Sequence, residues 1–215
     1  MAHVATTYQS NGGGWPLTIS LNFGSNADRW AVATVTCTGA GVCTSLTVNG
    51  VSMTERASGA GLGGGTRKVY EGSVAGTGSL TVTATGSGSG IAWMTVSSYD
   101  GISGYRTSSA ATTTATSSVG NITVTSQSGD ICWAGGDDNT SSSVYAASAG
   151  TTARNGSGGT GQFAMEKTAS GTSTQIDWTV SPSTGWGAGA LALIPTGGGG
   201  GGSTVPIKLQ LMTGV

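Results

Sequence analysis

The run Gly185-Trp186-Gly187-Ala188-Gly189-Ala190-Leu191-Ala192-Leu193-Ile194-Pro195 constrains this chain more than any other stretch. It carries no charge, alternates small residues with Trp186, Leu191 and Leu193, and stops at a proline. A strand without a polar face has to be covered on both sides. It therefore belongs in the middle of a packed β structure, and the rest of the chain has to supply the covers.

The remaining segments read as strands. Val4 to Tyr8 suits a first edge strand. Leu17, Ile19, Leu21 and Phe23 alternate with Thr18, Ser20 and Asn22, the pattern of a half-buried antiparallel strand, and Pro16 stands at its start. Trp30 to Cys37 has small and β-branched residues on both faces and reads as a core strand. Leu46-Thr47-Val48-Asn49-Gly50-Val51-Ser52-Met53 is a hairpin, because Asn-Gly accepts the positive φ of a type I′ turn. Residues 80–85 and 119–125, Ile91 to Tyr99 before the turn pair Asp100-Gly101, Ile131 to Ala134, and residues 162–167 and 174–180 add further strands. Arg67-Lys68-Val69-Tyr70-Glu71 is the most polar strand and is expected at the surface. The Ser/Thr/Ala-rich run from Arg106 to Ser118 reads as an extended connection between sheets. Gly135 to Thr140 reads as a loop, and Pro182-Ser183-Thr184 as the turn before the closing strand. Turn signals recur every ~8–12 residues, giving about ten to twelve strands and no helix. The expected fold is all-β: an antiparallel two-sheet β-sandwich, jelly-roll-like, with a short C-terminal extension.

With 40 glycines among 215 residues, composition alone would suggest disorder. Yet charged residues are only 8%, too few for an ordinary disordered chain, and the apolar residues recur at strand spacing. The glycines therefore belong to turns. The net charge of −1 offers no basic patch, which argues against nucleic acid as a partner. Solubility has to rest on hydroxyls and exposed backbone, or on residence in an assembly. Met1 to Ala5 has neither the basic nor the apolar region of a signal peptide. No apolar run approaches the ~20 residues that span a bilayer, so no membrane partner is expected.

Chemistry-bearing residues are sparse. The single histidine, His3, leaves a nucleophile without a base, and the chain is not expected to be an enzyme. Asp28, Glu55, Glu71, Asp100, Glu166 and Asp177 are scattered singly near turns or on exposed strand faces, and Glu166 beside Lys167 reads as a solvated pair. Asp137 and Asp138, with Asn139, are oxygen ligands that Ca²⁺ can take, but the spacing of a calcium loop is missing, so an acidic solvated turn and no cofactor are expected. Cys37 and Cys43 flank a hairpin tip, where a disulfide and two small apolar side chains fit equally well. Cys132 reads as a core residue, and no Cys-x-x-Cys pair suggests zinc. Five of the six tryptophans fall inside strands. Trp15, after three glycines, is the candidate for stacking on a glycan, followed by Tyr99, Tyr105 and Tyr145.

Residues 1–196 form the sandwich domain in this reading, residues 197–204 a Gly-rich linker, and residues 205–215 a separate peptide. Val205, Ile207, Leu209 and Leu211 alternate along that peptide. Such a strand docks on the edge of a partner's sheet or folds back on its own domain.

Four segments occur in an order shared with a known group: Leu46 to Thr54, Gly76-Thr77-Gly78-Ser79-Leu80-Thr81-Val82-Thr83, Ile91 to Gly101 and Gly185 to Pro195. In these the chain resembles the Gly/Thr-rich jelly-roll structural proteins of tailed bacteriophages, over residues 1–196. The resemblance implies a β-sandwich displayed on a virion, as a capsid decoration protein, head fibre, spike or tail component, and it brings no catalytic residue. The expectation is a non-enzymatic virion structural protein, made in the host cytoplasm. Its expected partners are further copies of itself and the major capsid protein or other virion proteins. The alternative is a carbohydrate-binding adhesion module on a phage tail or spike or a bacterial surface, contacting a host-surface glycan.

Overall fold

The computed structural model describes residues 2–11, 14–107, 110–138, 143–155 and 161–197. In chain order the described strands are β1 (Ala2–Asn11), β2 (Leu17–Phe23), β3 (Trp30–Cys37), β4 (Val42–Val48), β5 (Val51–Ser52), β6 (Thr54–Ala60), β7 (Thr66–Ser73) and β8 (Gly78–Ser87). They continue as β9 (Ala92–Asp100), β10 (Ile102–Tyr105), β11 (Ala111–Thr125), β12 (Ile131–Asp138), β13 (Val144–Ala147), β14 (Thr152–Asn155), β15 (Gln162–Thr168) and β16 (Ser173–Pro195). The hairpin read from Asn49-Gly50 is present: both residues have positive φ, 48° and 81°, and Val48 pairs with Val51.

The chain is an antiparallel all-β sandwich, and its described strands form three sheets instead of two. A five-stranded sheet runs β1-β9-β3-β7-β6, a four-stranded sheet runs β2-β8-β4-β5, and a seven-stranded sheet runs β10-β16-β12-β15-β14 with β11 and β13 also paired to β16. The third sheet folds back on itself. Ala111–Ser117 of β11 pair with residues 190–184 of β16, and Val119–Thr125 pair with residues 179–173. Residues 180–183 of β16 have no partner in β11, and such a register slip bends a ribbon. The distal half of the β11–β16 ribbon, with β13, thus lies across the face of β12 and β15.

The result is four β layers with three cores between them. Leu17, Leu21, Phe23, Leu46 and Val82 of the four-stranded sheet meet Ala31, Ala33, Val35, Met94 and Val96 of the five-stranded sheet. On its other face the five-stranded sheet puts Val32, Val69 and Tyr99 against Ile131, Trp133, Leu191 and Leu193. The folded-back core holds Ile122, Val124, Tyr145, Ile176 and Trp178 against Cys132, Phe163, Met165, Ala188, Ala190 and Ala192. The run Gly185–Pro195 is therefore roofed on both sides, as its sequence demanded: leucines face one core and alanines the other. Gly187 has a further reason to be glycine, since a methyl group there would overlap the Arg67 guanidinium.

Several sequence expectations need correction. Arg67-Lys68-Val69-Tyr70-Glu71 lies in β7, inside the five-stranded sheet, and Arg67 and Glu71 are buried. The Ser/Thr/Ala run is not a free connection, because its part from Ala111 onward belongs to β11. Thr and Ser fit a pleated surface, but without apolar alternation they give no strand signal. Gly135 to Asp138 continues β12 instead of forming a loop. Residues 182–184 lie within β16, which runs 23 residues where a turn and a separate strand were expected. Cys37 and Cys43 are buried free thiols of the first core. Burial pushes the thiols of Cys37 and Cys132 up to about 11, so both stay protonated at neutral pH.

Candidate functional surface

The outward face of the four-stranded sheet carries Thr18, Ser20 and Asn22 from β2, and Ser79, Thr81, Thr83 and Thr85 from β8. Beside them stand Ser45 and Thr47 from β4 and Ser52 from β5. Thr18, Thr83, Thr47 and Ser52 form one row across all four strands. These four strands contain no charged residue at all. At the opposite end of the stack, the folded-back ribbon turns out Asn121, Thr123 and Thr125 beside Ser173, Gln175, Asp177, Thr179 and Ser181. Asp177 is the one charge on those two strands' outward faces, and it accepts a 2.5 Å hydrogen bond from Gln175. Among the described residues, the exposed large apolar side chains on this end are the separated Val119 and Val144.

The charges sit between and beside the layers. Arg67 donates to both oxygens of Asp137, at 3.2 and 3.4 Å, and through Nε to Thr36, whose hydroxyl donates to Asp137 in turn. Burial holds the Asp137 carboxyl above its ordinary range, against the pull of Arg67 and Thr36. Arg154 grips Glu166 with two bonds of 3.0 and 2.6 Å, and the Tyr99 hydroxyl donates to the same carboxylate at 2.9 Å. Arg106 makes a two-bond pair with Asp130, Arg56 pairs with Glu71, Lys68 with Glu55 and Lys167 with Asp177. The expected solvated pair Glu166–Lys167 is thus split: adjacent residues of a strand face opposite ways, and Glu166 is taken inward by Arg154 and Tyr99.

His3 is the end of a hydrogen-bond chain. Trp133 Nε1 donates to Ser97 Oγ at 2.8 Å, Ser97 Oγ lies 2.7 Å from Thr6 Oγ1, and Thr6 Oγ1 lies 2.7 Å from His3 Nε2. Trp133 can only donate, so Ser97 can pass its proton to Thr6, and Thr6 to a neutral imidazole. Burial, then Arg154, lowers the His3 pKa below 6.5. The unfolded chain therefore binds the proton more readily, and this residue's contribution to stability is present above pH 6.5 and declines as pH falls toward the folded value. In thermal melts, the melting temperature of the native chain minus that of His3→Gln should shrink between pH about 7.5 and about 5. A difference that stays constant or grows would contradict a half-buried His3 held neutral.

The candidate glycan residues do not form one surface. Tyr99 is fully buried in the core between the first and third sheets and has no face for a sugar, because its ring lies in a strand covered on both sides. Tyr145 is buried too, stacked on Phe163 at 4.4 Å. Trp15 is half-buried against the first core with its indole over Gly86. Tyr105 lies elsewhere, and the Arg56 guanidinium sits 4.0 Å above its ring centre. Asp137 is engaged by Arg67, and among the described residues no group of three or more His, Cys, Asp or Glu side chains gathers for a metal. Asn139, and Val205, Ile207, Leu209 and Leu211, lie outside the described residues. The buried ion pairs escaped sequence reading, although strand parity carried their signal. Arg67 shares a face with Val69, Asp137 with Ile131 and Trp133, and Glu166 with Ala164.

Comparison with protein-family models, with curated proteins and with solved structures finds no match for this chain.

Proposed function

We propose that this chain is a non-enzymatic structural protein of a tailed-bacteriophage virion, displayed on the capsid surface as a decoration or head-fibre protein. The observation that carries the reading is the distribution of polarity. The outermost sheet faces are ranks of hydroxyls and amides whose single charge, Asp177, is paired with Lys167, while the other five ion pairs among the described residues are held within and beside the layers. Such an exterior neither steers charged polymers toward itself nor exposes a continuous apolar patch. That suits a coat in which many identical copies stand close together without adhering. A repeating capsid lattice adds avidity, so each copy needs only a modest contact. The apolar alternation of Val205, Ile207, Leu209 and Leu211 supplies that contact in this reading.

Deletion of residues 205–215 tests it. The shortened chain is expected to keep its β-type circular dichroism and melting temperature, and to lose co-purification with the virus particle. Incorporation at the full level would move attachment onto the sandwich itself. Absence of the full-length chain from purified particles would overturn the virion reading altogether.

A further inference from the structure

A cavity of about 200 Å³ opens where the loop after β2 meets the end of β9, lined by Ala2, Asn26, Ala27, Asp100 and Gly101. Asp100 is 5% exposed, yet it makes no ion pair among the described residues. Its Oδ2 accepts from Asn26 Nδ2 at 2.9 Å, while its Oδ1 is buried with no hydrogen-bond partner. Arg106, six residues on in sequence, is paired with Asp130, and Arg29, three residues beyond Asn26, is committed to the backbone carbonyls of Asn26 and Ala75. A carboxylate taken out of water with one oxygen unsatisfied and no counter-charge is costly, and a positively charged donor offsets that cost.

The lining narrows the class of donor. No aromatic ring faces the cavity, so the apolar face of a sugar has nothing to stack on. One carboxylate and one amide fall short of the six to eight oxygens that Ca²⁺ gathers. A primary ammonium group carries three N–H donors on a compact charge. With Nδ2 of Asn26 turned to Asp100, the amide oxygen of Asn26 is left as a second acceptor on a residue that lines the cavity. We propose that this cavity binds a primary ammonium group, with Asp100 as the charged acceptor and Asn26 as its positioning partner. The ammonium of a small free amine and that of a lysine side chain present the same chemistry to it.

The test is an amide-shift titration of the ¹⁵N-labelled full chain at constant ionic strength. One arm uses methylammonium and the other Nα-acetyl-lysine amide, and tetramethylammonium, which has charge but no N–H, is the control. Saturable shifts at Ala27 and Gly101 are expected in at least one arm: methylammonium alone assigns the site to small amines, the lysine derivative to side chains. Asp100→Asn keeps the shape and removes the charge, and it is expected to weaken binding at least about tenfold. Ala27→Trp, a change on the exposed loop, blocks the cavity without touching the carboxylate and is expected to abolish the shifts. No saturable shift in either arm, an equal response to tetramethylammonium, or undiminished binding by both variants would overturn the proposal.

Discussion

Asp137→Ala is expected to destabilise the sandwich by about 3–5 kcal/mol, because it strands the Arg67 guanidinium in the interface between two sheets. The pair itself is a different matter. Burial outweighs Arg67 and Thr36 in setting the Asp137 carboxyl, so the interface loses more by desolvating the acid than the arginine returns. Replacing the whole cluster with apolar groups, Arg67→Met with Asp137→Leu and Thr36→Val, is therefore expected to recover most of the loss. The triple variant should fall near the native stability. Urea unfolding read at constant m-value checks both variants. A cost below about 1 kcal/mol for Asp137→Ala would mean that water reaches the pair, and the close approach of Gly187 to Arg67 would then need another explanation.

That cluster also marks the limit of what the sequence discloses. The both-face burial of Gly185–Pro195 was legible because small and apolar residues alternate without a break, and no other arrangement keeps such a strand dry. The Asn49-Gly50 hairpin and the alternation of Leu17, Leu21 and Phe23 were legible for equally local reasons. Arg67, Asp137 and Glu166 were not, because a charged side chain is ordinarily outside and only a partner remote in sequence reverses that preference. Arg67 and Asp137 stand 70 residues apart. The same remoteness hid the third sheet. β11 shows no apolar period over residues 111–118, and its place is fixed by the glycines and alanines of β16 opposite. The sites suffered in the same way. Tyr99 looked like a loop aromatic from its neighbours Asp100-Gly101, whereas its ring belongs to the core that Trp133 and Leu191 complete. The Asp100 cavity had no sequence signal beyond a turn pair, since the loop that closes it comes from residues 24–28.

Trp178→Ala is expected to cost about 3–5 kcal/mol, and the way that loss is distributed tests the four-layer architecture. Trp178 is fully buried, 4.7 Å from the ring centre of Phe163 and 5.1 Å from that of Trp186, so it joins the folded-back ribbon to the sheet beneath. The ribbon's distal half owes its position to this one core, because its other face carries hydroxyls, amides, Asp177 and the separated Val119 and Val144. Removing the indole should therefore loosen that half first. In hydrogen exchange, protection should fall most across Val119–Thr125, Val144–Ala147 and residues 173–181. The amides of β3 and β9, in the five-stranded sheet between the other two cores, should keep their native rates. If protection falls evenly over all four layers, the ribbon and the inner sheets unfold as one cooperative unit. The third core would then be an integral part of the sandwich instead of a lid closed over it.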